Sequence, residues 1–310
     1  MKGVARAARI LRAGGLVAFP TETVYGLGAD ASNAEAVARL YAAKRRPATH
    51  PVIVHFADAR AAFRWAREVP DAARSLAARF WPGPLTMILK RSPKAGDFVT
   101  GGQDSVGLRV PSHPLARALL RTFKGGVAAP SANLFGRVSA TSAAHVREDL
   151  AREADLVLDA GPSEIGIEST IVDLSGKRPV LLRPGAISKL QLEECLNVKV
   201  EGKSPKTLRH SGGHARHYAP RTPARLVAPH ELDREIARLG RKTAVLAFSR
   251  PDERVEAWIR MPRGPAGYAK RLYAALRELD GAGCDRILIE SPPESAEWQA
   301  VRDRLARATA

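Results

Sequence analysis

Cysteine is nearly absent from this chain of 310 residues: only Cys195 and Cys284 occur. So few thiols exclude a disulfide scaffold and a thiolate metal centre, and they suit a reducing compartment. No apolar run approaches the ~20 residues that span a bilayer, so a cytoplasmic protein without membrane attachment is expected. Aromatic residues make up 5%, and no aromatic-rich strand is present of the kind that stacks bases in sheet-type RNA readers. Acidic residues are outnumbered, 32 against 49 Lys and Arg, for a net charge of +17. That balance favours polyanionic partners, although much of the excess is Arg spread over Ala-rich helices, as a general compositional bias would leave it. There is no Gly-x-x-x-x-Gly-Lys-Ser/Thr loop, and Gly26-Leu-Gly28 lacks the third glycine of a dinucleotide fingerprint. No Ser/His/Asp or Cys/His set offers a nucleophile, so a covalent enzyme intermediate is not expected.

What is there is an alternation of strand and helix signals. The basic start, through Arg12, could imitate a targeting segment. Its apolar positions Val4, Ala7, Ala8 and Leu11, followed by Gly14-Gly15, fit a folded first helix better. Strands are expected at residues 16–19, 52–56, 86–89, 106–110, 127–129, 156–159, 170–173 and 180–182. Helices fall between several of them, one opened by a Ser32-Asn-Ala-Glu35 capping box and one by Ser188-Lys-Leu-Gln191. Some strands follow each other without a helix, which predicts one large mixed sheet in an α/β domain over residues 1–198. Residues 199–222 are rich in Lys, Arg, Pro and Gly, the composition of a basic flexible linker. Three further β/α units at 224–227/231–239, 243–248/268–279 and 286–290/296–308 predict a small doubly wound accessory domain over 223–310.

Polar groups gather at the margins of the apolar strands. The segment Gly15 to Asp30 reads as a short buried strand running into the turn Thr21-Glu22-Thr23, with Gly26 and Gly28 permitting close backbone approach before a helix. Ligands in open α/β sheets sit at such strand ends. Lys44-Arg45-Arg46-Pro47 ends a helix, so its cations either satisfy the helix terminus or clamp phosphate, for which guanidinium groups are suited. Arg109 lies within an apolar strand and needs a carboxylate: Glu22, Glu168 or that of a bound small molecule. Ala129-Pro-Ser-Ala-Asn133, Ser139, Thr141, Glu168-Ser-Thr170 and Arg183-Pro-Gly185 repeat the theme. Together they suggest a pocket for a nucleotide and a small zwitterion. His210, His214 and His217 invite a metal reading, but no Cys or carboxylate cluster accompanies them, which favours a solvated basic linker.

Taken in order, Pro20-Thr-Glu-Thr-Val-Tyr-Gly26, Lys44-Arg-Arg-Pro47 with His55, Trp81-Pro-Gly-Pro-Leu-Thr86, Arg109-Val-Pro111, Ala129-Pro-Ser-Ala-Asn133, Glu168-Ser-Thr170 and Leu182-Arg-Pro-Gly185 resemble the threonylcarbamoyl-AMP synthase family, with its YrdC-like catalytic domain. His217-Tyr-Ala-Pro220 and Tyr273 to Asp280 resemble the linker and accessory domain of the long, two-domain form. The resemblance implies a nucleotidyltransferase that converts L-threonine, bicarbonate (or CO2) and ATP into L-threonylcarbamoyl-AMP and pyrophosphate. It implies Mg2+ with ATP, no tightly bound organic cofactor, and a product that feeds t6A formation in ANN-decoding tRNAs through a downstream threonylcarbamoyltransferase machinery, with weak tRNA contact. It further implies a threonine site of Thr23, His55, Arg109, Ala129 and Ser169, and an ATP site of Arg46, His50, Ser105, Ser131, Ser139, Arg183 and Tyr218. Lys44 is expected on the phosphates, with Lys44 and Arg46 as the catalytic cations, and Tyr218 is expected to close over the nucleotide. His50 stands where relatives often carry Asn or another small polar residue. Two other readings share some of these features: an RNA-binding module, and a carbamoyl-adenylate-forming carbamoyltransferase, whose known members add zinc-finger cysteines that this chain lacks.

Overall fold

The spacing of Ala7, Ala8 and Leu11 produces helix α1 (Lys2–Arg12), whose buried stripe packs on Leu119, Leu120 and Phe123 of α6 (Pro114–Phe123). These contacts belong to a computed structural model that describes residues 2–202, 208–213, 216–240 and 242–310. His214 of the metal reading, and Lys203 and Lys206 of the basic linker, lie outside the described residues.

The chain divides into two units, the first formed by Met1–Phe135, Ala140–Glu164 and Glu168–Gly213. Its strands are β1 (Val17–Phe19), β2 (Gly26–Asp30), β3 (Ile53–His55), β4 (Leu85–Lys90), β5 (Ser105–Arg109), β6 (Val127–Ala128), β7 (Leu156–Val157), β8 (Thr170–Asp173) and β9 (Val180–Arg183). They form one nine-stranded sheet in the order β7-β1-β2-β6-β3-β5-β4-β8-β9. Pairing is mixed: β3/β5, β4/β8 and β1/β7 run parallel, and the other neighbours antiparallel. Helices α2 (Ala34–Lys44), α3 (Ala59–Phe63), α4 (Asp71–Phe80), α5 (Asp97–Thr100), α7 (Ala143–Leu150) and α8 (Lys189–Leu196) complete it. A large apolar core formed by Val54, Phe56, Met87, Leu89 and Leu108 with Leu40, Leu76 and Val146 fills one side of the sheet. Period-two alternation sends Ile53, Ile88, Ile171 and Leu182 to the opposite face, where they form a small separate cluster.

Two local expectations are corrected. Gly26 to Asp30 is a strand paired on both edges, not a loop leading into a helix. A Cβ on Gly28 would meet the Phe19 ring and Val127 Cγ1 at 2.8 Å, so only glycine lets β1 and β6 carry these large side chains around it. The cap of α2 is Asn33, whose Oδ1 accepts the Glu35 and Ala36 amides, while Ser32 is drawn to Asp30. The Ser188–Gln191 capping box forms as expected.

The second unit comprises Gly136–Ser139, Ile165–Ile167 and His214–Ala310. Its strands β10 (Ala224–Val227), β11 (Thr243–Ala247), β12 (Ala257–Arg260) and β13 (Arg286–Glu290) form an all-parallel sheet ordered β10-β13-β11-β12. Helices α9 (Leu232–Leu239), α10 (Pro265–Asp280) and α11 (Gln299–Ala308) complete the small α/β unit. Strand β12 goes beyond the three expected units. Its four residues are held by parallel pairing to β11, from Ala244↔Ala257 to Ala247↔Arg260. No helix among the described residues is long and apolar enough to cross a membrane.

Candidate active site

Where β1 ends, Thr21 organises the turn. Its Oγ1 donates to the Val24 carbonyl at 2.6 Å, accepts from the Thr23 and Val24 amides, and lies 2.8 Å from Thr23 Oγ1. This is the local side-chain-to-backbone bonding by which Thr fixes a turn. It leaves Thr21, Glu22 and Thr23 all buried. From the centre of the sheet, Arg109 reaches this turn: Nη2 donates to Glu22 Oε1 at 2.6 Å and to Thr23 Oγ1 at 2.9 Å, and Glu22 Oε2 accepts the Ser112 amide at 3.1 Å. Of the carboxylates weighed for Arg109 in this chain, Glu22 is the one in contact, in an ion pair whose side chains are 5% and 3% exposed. These contacts use Nη2 alone. Arg109 Nε is buried with no hydrogen-bond partner among the described residues, an uncommon condition that calls for a polar partner.

Arg109 lies opposite His55 on β3 and opposite Thr86 on β4. Strand register therefore sets an imidazole, a guanidinium and a hydroxyl side by side. Burial, and secondarily the Arg109 charge, push the His55 pKa down to about 3, so the ring is neutral at pH 7. Thr86 Oγ1 lies 2.8 Å from Ser169 Oγ, which also accepts Arg183 Nη2 at 3.1 Å. Arg183 Nε donates to the Ser169 carbonyl at 3.0 Å. The Ala129 amide donates to the Ile53 carbonyl at 3.0 Å. Thr23, His55, Arg109, Ala129 and Ser169 thus fall on neighbouring strands or their immediate ends.

A second group of cations lies at the end of α2. Lys44 is 2% exposed. Its Nζ donates to the Ser131 carbonyl at 2.5 Å and to that of Asn133, which uses two of its three protons. Burial first, and the nearby Arg46 charge second, lower its pKa to about 7, with Asp149 opposing. Arg45 adopts a left-handed cap, φ 52°, that turns the chain out of the helix. Arg46 Nη2 then donates to the Pro51 carbonyl at 2.8 Å, and its guanidinium lies over the Phe135 and Tyr41 rings at 5.7 and 6.0 Å. The His50 ring packs 5.4 Å from Phe135, and the His50 carbonyl accepts Tyr41 Oη.

Residues 208–213 belong to the first unit. Leu208 packs on the Ile53, Ile88, Ile171 and Leu182 cluster. Arg209 donates to the Thr49 and Gly101 carbonyls and exchanges two hydrogen bonds with Gln103. Ser211 donates to the Pro51 carbonyl and accepts Arg183 Nη1 at 3.1 Å. Ser105, Gly107, Thr86, His210 and Ser211 line a cleft beneath this segment. Ser139 and Tyr218 lie in the second unit. There Arg277 Nε contacts the Ser139 carbonyl at 3.4 Å, and Tyr218 is buried between Tyr273, His217 and the Arg304 guanidinium.

Sequence reading did not place Thr86, Gln103, Arg209 or Ser211 in the site. Thr86 carried a signal, as the lone hydroxyl in an apolar strand. The other three act through backbone carbonyls far away in sequence, and nothing local marks them.

The chain is similar to known proteins along most of its length. The family model described as telomere recombination (Sua5, YciO and YrdC) matches residues 9–185, and a model described as threonylcarbamoyl-AMP synthase, C-terminal domain, matches residues 187–310. The chain is 39% identical to the threonylcarbamoyl-AMP synthase of Pyrococcus abyssi, covering 98% of this chain and 93% of that protein. It is 40% identical to that of Bacillus subtilis, covering 98% and 92%. The crystal structure of P. abyssi Sua5 complexed with L-threonine superposes with a TM-score of 0.93 at 38% identity, over 99% of this chain and 94% of that one.

Proposed function

This chain belongs to the threonylcarbamoyl-AMP synthase family, and from that premise we propose that it joins L-threonine, bicarbonate and ATP into L-threonylcarbamoyl-AMP and pyrophosphate. The observation that carries this reading is Arg109, whose Nη2 is held by Glu22 while its buried Nε has no hydrogen-bond partner among the described residues. A substrate carboxylate is the partner that such a donor selects. Neutral His55 adds no second positive charge beside it, and the Ser169–Thr86 hydroxyl pair supplies neutral partners for the amine and hydroxyl of threonine.

The chemistry needs no protein nucleophile. Bicarbonate takes up one proton and loses water to give CO2. The uncharged threonine amine attacks this carbon, and the carbamate forms as the nitrogen gives up one proton, so that the two proton transfers cancel and water is the net by-product. A carbamate oxygen then attacks the α-phosphorus of ATP, the bond from that phosphorus to the β-bridging oxygen breaks, and pyrophosphate leaves. What the protein supplies is positioning and cations where charge develops. Arg46, Arg183 and the third proton of Lys44 serve the phosphates, with His50, Ser105 and Ser131 as further nucleotide contacts. ATP enters as its Mg2+ complex, so the metal arrives with the substrate. The product passes to the tRNA threonylcarbamoyltransferase step of t6A formation, and the +17 charge favours weak tRNA contact.

Pyrophosphate release, measured with threonine and bicarbonate omitted in turn, tests the proposal. Release is expected only with both present, alongside a threonylcarbamoyl adenylate in the mass spectrum. Release indifferent to threonine would refute it.

A further inference from the structure

The cations clustered near the end of α6 have no part in the site above. In the first unit, a cavity of about 570 Å³ is lined by Phe56, Trp65 and Leu120 and rimmed by Arg64, Lys94, Arg121 and Lys124. None of the candidate threonine or ATP residues lines it. Phe56 follows His55 directly, and strand alternation turns its ring away from the His55 side, toward the core that contains Trp65. The two rings meet edge to face at 5.5 Å and are 2% and 8% exposed, forming an apolar floor.

The rim is built from three separate stretches of chain. Arg64 caps α3, Arg121 and Lys124 end α6, and Lys94 lies in the turn after β4. That turn is tied beside the floor: the Ser92 amide donates to the Trp65 carbonyl at 2.8 Å, and Ser92 Oγ to the Arg64 carbonyl at 3.2 Å. Cations at helix ends complement the helix dipole, which accounts for Arg121 and Lys124 taken singly. It does not account for four cations meeting around one hollow, where none makes an ion pair or side-chain hydrogen bond among the described residues. Asp58 is the lone acid in the lining, and its Oδ1 accepts the Ala61 amide at 2.7 Å as the cap of α3.

We propose that this cavity is a second ligand site, separate from the synthase site, for an aromatic polyanion of nucleotide size. The volume falls within the range of small-molecule pockets. Two aromatic rings at the floor suit a planar body, and two guanidinium and two ammonium groups suit at least two phosphate or carboxylate charges. Ligand bound here rests its ring on Phe56 and Trp65 and its charges between the α6 end and Lys94.

ADP is the probe, because it joins a planar base to a short polyanion. Calorimetric titration of the full chain is expected to show two ADP sites. The double variant R121E/K124E is expected to retain one of them, while threonine-dependent pyrophosphate release stays within about twofold. K94E alters a different, exposed segment and is expected to weaken the same site at least about tenfold. A single ADP site in the parent chain that R121E/K124E leaves intact, or two sites in R121E/K124E with parent affinities, overturns the proposal. A single site that R121E/K124E abolishes upholds it and counts against nucleotide binding at the synthase site instead. Inorganic pyrophosphate binding this site as tightly as ADP overturns the aromatic floor. A single-stranded RNA oligonucleotide whose binding is lost in R121E/K124E, with ADP binding unchanged, makes the patch an RNA surface and equally overturns it.

Discussion

Lys44 is an ammonium group with almost no water around it, answered by two carbonyls rather than by a carboxylate in contact. Those carbonyls belong to Ser131 and Asn133, so the side chain fixes the loop that follows β6 and keeps a third proton that neither carbonyl uses, the one proposed for the phosphates. Lys44→Met keeps the length and removes every donor. Pyrophosphate release is then expected to fall by about a hundredfold, the range for losing a preorganised cationic donor; near-parental turnover in the folded variant refutes the assignment. The same residue makes a pH prediction. Its folded pKa of about 7 lies below the unfolded value of 10.5, so between these values the unfolded chain holds more protons and stability rises with pH. The penalty of burying the charge is fully present below about pH 7 and is relieved above it. Urea unfolding at about pH 6.5 and about pH 9.5 is expected to show the parent gaining roughly 3 kcal/mol relative to Lys44→Met over that interval. An unchanged difference means that Lys44 stays charged throughout.

At the scale of elements, the alternation of apolar strands and helices made most of the architecture legible. Thr170–Asp173 and Ala224–Val227 lie where the pattern puts them. Gly26–Asp30 did not read as a strand, because Gly, Ala and Asp have low strand preference and its pairing is set by neighbours far along the chain. Ser32 and Asn33 are both good caps, and the choice between them turned on Asp30, which captures the serine. The site follows the same division. Motif residues at strand ends were visible one by one, whereas the contact between Glu22 and Arg109 spans 87 positions and is fixed only by the sheet. Packing also restricts the turn after β9. A Cβ on Gly185 would lie 2.4 Å from the Thr170 amide nitrogen and 2.8 Å from the Ser169 carbonyl carbon. Gly185→Ala must therefore displace Ser169, which bonds both Arg183 and the Thr86 hydroxyl. It is expected to lower stability by about 1–3 kcal/mol and to raise the KM for threonine several-fold. Gly176→Ala, with nothing within 4 Å of the added Cβ, is the control that should change neither. An unchanged threonine KM in a destabilised Gly185→Ala would separate Ser169 from the substrate.

Across the whole molecule, each unit buries its own apolar cluster. Val54, Met87 and Leu108 belong to the first, and Val227, Ile236, Val245 and Leu288 to the second. Self-contained cores of this kind can unfold separately. The residues proposed for the threonine site, Thr23, His55, Arg109, Ala129 and Ser169, all lie in the first unit, so threonine bound there should stabilise that unit alone. Threonine at a hundred times its dissociation constant contributes about 2.7 kcal/mol. For a unit of this size, each kcal/mol raises the midpoint by about 2–4 °C, so a shift on the order of 5–10 °C is expected. Differential scanning calorimetry should therefore resolve two transitions, of which threonine moves one. A single transition that moves as a whole would mean that the two cores unfold as one cooperative body. Two transitions that both stay in place, with threonine saturating, would mean that threonine binds elsewhere than the strand ends around Arg109.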